Sequence, residues 1–266
     1  MTLKGCRAKI RRAKVHFDTI EREVTAFLKN HPYRVTIERP TEHQFIVRSD
    51  DPPAVPTDDW AVIIGDCVHN LRASLDYIAW ELAGSDIGDT KTQFPITISY
   101  GGWRRIVERG RISRIQPRRA RALIKFLQPY RAGNPKETAL NGLRVLDDTD
   151  KHKLLTVTAA VLHHMRVNWM RDTPTRPLYE IQFFPKNGLA HKAVLAAIKV
   201  SNPSPYMEMQ VEIAPAIVFG DAVGLERRTE VLSSLRAIIS EVESTTDLFN
   251  RCFFVTVQPS ASCWQQ

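Results

Sequence analysis

The chain has 266 residues, a formal net charge of +8, and 43% hydrophobic and 25% charged residues. That composition belongs to a globular protein with a sizeable core and excludes a fibrous or disordered one. No run of about 18 uncharged apolar residues occurs, so no membrane span is expected, and the basic start "MTLKGCRAKIRRAKVHF" lacks the apolar stretch of a secretory leader; a cytoplasmic location is the expectation.

In chain order, residues 3–29 predict a helix, because Leu3, Ile10, Phe17, Ile20, Val24, Phe27 and Leu28 fall on one stripe. "NHP" at 30–32 ends it, since proline disfavours helix at the residue before it. "YRVTIER" and "HQFIVRS" alternate like two strands joined at "PTE" and predict a hairpin. The loop "DDPPAVPTDD" follows, its last aspartates placed to cap a helix over about 60–82. "TQFPITIS" reads as a short extended piece. "YGGWRRIVERG" and "PRRARALIKFLQPY" read as short basic helices, with Pro117 at a first-turn position. "ETALNGLRVLDDTDKHKLL" is helical at least through Leu146. "TVTAAVLHHMRVNW", "LYEIQFF", "AVLAAIKVS" and "MEMQVEIAPAIVF" read as strands of an antiparallel sheet, and a last long helix covers about 226–252. Helices at both ends with strands between them predict an α+β protein, not the strict βαβ alternation of a nucleotide-binding sheet. The whole chain, 1–266, is expected to form a single domain, with a helical part at about 1–155 plus 225–252 and a β part at about 156–224.

The helix at 60–82 carries an unusual polar flank. At about 100° per residue, Ile64, Val68, Leu71, Leu75, Ile78 and Leu82 make an apolar stripe. His69, Arg72, Asp76 and Trp80 fall within an arc of about 80° beside it, and Asn70 and Tyr77 lie farther round. The i,i+3 and i,i+4 steps let His69, Arg72 and Asp76 touch. Such a cluster is either a paired polar network or a site in which Arg72 stabilises phosphate charge, His69 serves as acid or base and Asp76 orients one of them.

A second cluster, "LDDTDKHKLL" at 146–155, mixes Asp147, Asp148, Asp150, Lys151, His152 and Lys153. Three acids and a histidine could hold a divalent metal, but the spacing is neither an EF-hand nor HExxH. Lys151 and His152 as contacts to a phosphate or an acidic group is a stronger reading than metal, and a solvated helix terminus is the plain alternative; no metal and no cofactor are expected. His163 and His164 are adjacent, point opposite ways on a strand and cannot easily chelate together. No GxGxxG, GxxxxGK[ST] or GxSxG element is present. Cys6, Cys67, Cys252 and Cys263 form no CxxC pair and read as reduced structural cysteines.

Between Arg104 and Lys125, eight arginines and one lysine face the single acid Glu108. Ile106, Val107, Ile112, Ile115, Leu123 and Ile124 are interleaved. They could anchor the segment while Arg104, Arg105, Arg111, Arg114, Arg118, Arg119 and Arg121 face out toward a phosphate backbone; a merely solvated basic face is the alternative.

The order "GDCVHNLRASLDYIAWEL", "QFPI", "LQPY", "LDDTDKHKLL" resembles an uncharacterised bacterial family with the pattern GDxxHNLRxxLDxxAW, FPI, LQPY and DKH[RK]. A more distant resemblance is to HEPN domains, helical bundles whose active ribonucleases carry Arg-x4–6-His on a helix and commonly pair as homodimers. Here "RASLDY" keeps Arg72 and places Tyr77 at the histidine position. A phenol with an ordinary pKa near 10 is a poor base at neutral pH. The resemblance implies a HEPN-like bundle with an antiparallel sheet and an N-terminal β-hairpin insertion. It also implies RNA or nucleotide binding or ribonuclease activity, in which the Tyr77 hydroxyl could bond a phosphate or a 2′-hydroxyl; Asn70, Tyr77, Trp80, Lys151 and His152 are the candidate ligand contacts. Two other readings stand beside it. One is an enzyme on a small molecule in a pocket between the 60–82 helix and the sheet, walled by Tyr77 and Trp80; the other is a non-catalytic interaction protein.

Overall fold

The computed structural model describes residues 2–51, 53–84, 92–110, 112–169, 178–184, 189–205, 207–225 and 229–254, and the backbone alone at 160–164. Of the residues singled out above, Arg111 and Cys263 lie outside this set, as do the side chains of His163 and His164.

The described chain is a mixed α+β fold with two antiparallel sheets. Four helices, α1 (Lys4–Asn30), α2 (Thr57–Ala83), α5 (Ala139–Asp150) and α6 (Val231–Phe249), pack on one another. Two shorter ones, α3 (Tyr100–Glu108) and α4 (Arg118–Phe126), lie between α2 and α5 in sequence. α2 starts three residues earlier than its periodicity predicts. Asp58 and Asp59 therefore sit inside its first turn, where they favour the positive end of the helix dipole, and do not act as caps. It ends at Gly84, whose φ of 88° suits glycine. The predicted stripes become the core. Ile10, Phe17, Ile20 and Val24 of α1 are buried with Ile64, Val68, Leu71, Leu75 and Ile78 of α2.

The strands depart from the expected single downstream sheet. The hairpin β1 (Val35–Thr41) and β2 (Gln44–Ser49) joins β4 (Tyr179–Phe183) and β5 (Val194–Val200) in one sheet of order β1-β2-β5-β4. β2 pairs with β5 along Gln44–Arg48, so the hairpin is half of that sheet and not a separate insertion. β3 (Val157–Trp169) and β6 (Met209–Phe219) form a separate two-stranded ribbon, whose register shifts between Val161 and Met165. Pro215 is tolerated there because, among the described residues, β6 is laddered to β3 alone. One end of the ribbon, with Val157, Ala159, Ile217 and Phe219, is buried in the helical core. The other end, with Val167, Trp169, Met209 and Val211, covers a second core made by Phe45, Val47, Ala196, Ile198 and Val200. The ribbon is thus shared between helices and sheet, which alternation along a strand cannot foretell. No described helix is long and apolar enough to cross a membrane.

Cys6 and Cys67 are buried and free, and burial pushes both thiols up to about 12, which keeps them protonated and inert. Cys252 is exposed.

Candidate functional site

The polar flank of α2 faces α5 and an extended strap, residues 93–96, that lies across both. Arg72 Nη2 donates to the Phe94 carbonyl at 2.8 Å and pairs with Asp76 Oδ1 at 3.0 Å. The same Asp76 oxygen accepts from the Phe94 N–H at 2.9 Å. Arg72 and Asp76 therefore satisfy both main-chain groups of Phe94, whose ring is fully buried. Gln128 does the same for the rest of the strap. Its Oε1 accepts from the Thr97 N–H at 3.0 Å, and its Nε2 donates to the Pro95 carbonyl at 2.8 Å and the Ile124 carbonyl at 3.0 Å. The segments "HNLRASLD", "FPI" and "LQPY", which carry the sequence resemblance, thus meet around one stretch of backbone.

Burial holds the Asp76 carboxyl above its usual range, against the pull of Arg72 and the Phe94 N–H, with Asp147 adding to the upward push. Arg72 Nη1 is buried without a hydrogen-bond partner.

On α5, Asp147 has a side chain only 4% exposed, held by Lys151 Nζ at 2.5 Å. His69 Nδ1 stands 3.8 Å from its other oxygen, with the imidazole 62% exposed. Arg144 pairs with Asp148 at 3.2 Å and bonds to the Asn141 side chain. Gly65 lies one turn before His69 on the same flank of α2, where a Cβ would fall on the Asp150 carboxylate; the missing side chain lets the end of α5 approach α2. Asp150 is also held above the usual carboxylate range, first by burial and then by the negative charges of Asp147 and Asp66.

Arg72, Asp76, Arg144, Asp147, Asp148 and Lys151 line a cleft of about 210 Å³, closed on one side by the strap from Gln93 to Ile96 and by Ile106 of α3. Three cations and three acids thus face one space, each cation already paired with an acid. This arrangement can take a ligand that offers both acceptors and donors.

Other predicted residues lie elsewhere. Asn70 accepts from Lys9 of α1 at 3.2 Å, and the Tyr77 ring covers Gly5 of α1, so both occupy the opposite flank of α2. Trp80 is half-buried one turn beyond Asp76, and His152 is exposed past the end of α5. The cleft that the polar residues line includes neither Tyr77 nor Trp80, the expected walls of a small-molecule pocket. Among the described residues, no group of three or more His, Cys, Asp or Glu side chains is arranged to hold a metal ion. Gln128 and Arg144 were not singled out as site residues. The glutamine inside the apolar run "IKFLQPY" was the available signal for the first, because a buried amide must find partners.

The basic segment is anchored as its apolar spacing predicts. Trp103, Ile112, Ile115 and Ile124 are buried, Ile106 and Leu123 pack against the same core, and Val107 is instead exposed. Arg104, Arg105, Arg118 and Arg119 are exposed and Arg114 and Arg121 half-buried, with Arg104 pairing with Glu108 at 3.4 Å.

Asp150→Asn is expected to raise the melting temperature at neutral pH, because it removes a carboxylate that burial and two neighbouring acids oppose. A carboxyl raised in the folded state favours folding below its unfolded value of 3.8 and loses that contribution as pH climbs through its raised pKa. The gain in the variant should therefore shrink as pH falls into the carboxylate range. A melting-temperature difference that stays flat between pH 7 and the acid limb would contradict this.

No family model, curated protein or solved structure matches the chain.

Proposed function

We propose that the chain is an RNA-binding protein of the HEPN-like kind, with the cleft between α2 and α5 taking a phosphate-bearing part of the ligand. The observation that carries this reading is the convergence of Arg72, Arg144 and Lys151 on one cleft whose wall is completed by α3, the element that begins the arginine-rich segment. Lys151 and Arg144 are the groups free enough to turn from their acids toward a phosphate, being 52% and 33% exposed. Asp148, 59% exposed, would accept from a ribose hydroxyl or a base amine, a discrimination open to RNA and not to DNA at the 2′ position. Arg72 and Asp76 act here as positioning residues, since Arg72 Nη2 and Asp76 Oδ1 are engaged with each other and with the Phe94 peptide.

Fluorescence anisotropy with a single-stranded RNA tests the reading. Arg144→Ala and Lys151→Ala should each weaken binding by about 5–10-fold and lower the salt slope by about 0.7 per lost contact. With about four phosphate contacts, wild-type affinity should drop about 50-fold between about 50 and 200 mM salt. Absence of binding at low salt, or binding indifferent to salt, would sink the proposal.

Ribonuclease activity is the second reading, favoured by the exposed imidazole of His69 beside the buried Asp147 carboxylate. A carboxylate at that place can orient an acid–base histidine. RNA cleavage followed on gels, lost in His69→Ala with the melting temperature unchanged, would support it; cleavage retained in that variant would refute it. The absence of histidine at Tyr77 and the commitment of Arg72 to Phe94 speak for binding over cleavage. The homodimer that the HEPN-like reading brings with it is checked by light scattering of the full chain.

A further inference from the structure

Two large aromatic rings stand out in solvent on the arginine-rich segment. Tyr100, which begins α3, is 58% exposed, and Phe126, which ends α4, is 64% exposed. Neither is needed to hold the segment down, because Trp103, Ile112, Ile115, Ala120 and Ile124 already fix it from inside. Each ring carries a cation. Lys125 Nζ lies 5.8 Å from the Tyr100 centroid, and Arg131 Cζ lies 5.5 Å from that of Phe126. The two pairs are knitted together, since Lys125 and Phe126 are consecutive on α4. Tyr130, whose ring meets Tyr100 edge-on at 6.0 Å, precedes Arg131 in the 3-10 turn Pro129–Arg131. Phe126 and Arg131 also line an open cleft of about 530 Å³ between the end of α4 and the start of α5, with Glu241 of α6 on its wall. That volume lies within the range of small-ligand sites and accommodates a nucleotide.

Exposed rings with cations beside them, set among arginines, are the arrangement by which proteins hold unpaired bases. The ring stacks on the base face, the cation adds to the stack, and the arginines follow the phosphates. A duplex hides its base faces, so a stacking surface selects a single strand. We propose that the α3–α4 surface and the 3-10 turn form a base-stacking platform for single-stranded RNA. One base lies in the 530 Å³ cleft against Phe126 and Arg131, and another lies on Tyr100. Glu241 is placed to accept from an exocyclic amine of the base in that cleft. This inference rests on the RNA-binding reading above and adds to it the strandedness of the ligand and the residues that read its bases.

The test uses the full-length protein and three probes of about 12 nucleotides, a length within the range such platforms cover. They are a single-stranded RNA, the same backbone without bases, and the corresponding duplex. Phe126→Ala and Tyr100→Ala should each weaken binding of the base-bearing strand by about 5–100-fold and leave the abasic strand unaffected. Phe126→Trp, which keeps a ring, should bind like wild type. The exposure of both rings makes unfolding of these variants unexpected, and circular dichroism checks it. If the double alanine variant binds the base-bearing strand as tightly as wild type while Lys151→Ala still weakens it, the platform is overturned and the RNA reading survives. Equal losses on base-bearing and abasic strands overturn the platform as well. If wild type binds neither strand at low salt, the RNA reading fails and the platform fails with it.

Discussion

Replacing Arg72 by alanine is expected to lower the unfolding free energy by about 2–4 kcal/mol, because it removes a hydrogen bond and leaves a largely buried carboxylate without its counter-charge. The Arg72 and Asp76 side chains are only 14% and 27% exposed, so solvent compensates little for the lost partner. For a chain of this size the melting temperature should fall by roughly 4–7 °C. Asp76→Ala should cost a similar amount, since it strands both Arg72 and the Phe94 N–H. The double variant should lose less than the sum, because the two residues act on one peptide group.

The pH dependence separates this account from a simple loss of packing. Burial already raises the Asp76 carboxyl, and Arg72 is the first influence opposing it. Without Arg72 the carboxyl rises further, so its neutral form dominates at a higher pH. A raised carboxyl favours the folded state at low pH and loses that contribution as pH rises through its folded pKa. The deficit of Arg72→Ala should therefore be largest near neutrality and narrow as pH falls. Thermal melts monitored by circular dichroism from pH 7 downward provide the check, and a deficit independent of pH would mean that Asp76 does not sense Arg72.

Gln128→Leu should destabilise the fold by at least about 3 kcal/mol despite being an apolar replacement at a buried position. Its amide is the partner of three main-chain groups, those of Thr97, Pro95 and Ile124. A leucine of similar bulk fills the space and satisfies none of them, and each buried unpaired group costs about 1–3 kcal/mol. Gln128→Glu distinguishes polarity from hydrogen-bond direction. At neutral pH the carboxylate still accepts from the Thr97 N–H but faces two carbonyl oxygens, so it should be as damaging as leucine. On acidification the protonated carboxyl can donate one bond, and part of the stability should return. Hydrogen exchange at the Thr97 amide reads the effect locally, and unchanged protection in Gln128→Leu would show that the strap is held by something else.

Helix positions and their buried faces could be read from the chain alone, because a stripe such as Ile64, Val68, Leu71, Leu75 and Ile78 can be satisfied in water only by burial. The touching of Arg72 and Asp76 was equally legible, being fixed by the 3.6-residue turn. The anchoring of the basic segment by Ile112, Ile115 and Ile124 followed from the same periodicity. What Arg72 and Asp76 hold was not legible, because Phe94 lies about twenty residues farther along the chain and a backbone acceptor leaves no mark in sequence. Nor could the helical wheel say which neighbour each flank of α2 meets. It set Asn70 and Tyr77 apart from His69 and Arg72, but only packing put α1 on one side and α5 on the other. Strand alternation likewise specified the faces of β2 and β5 but not that they pair, since any strand of matching pattern could have been the partner. The sequence determined local geometry, where each residue's surroundings are its own near neighbours. The tertiary structure decided which distant segments meet, because that depends on how several buried faces and backbone groups are satisfied at once.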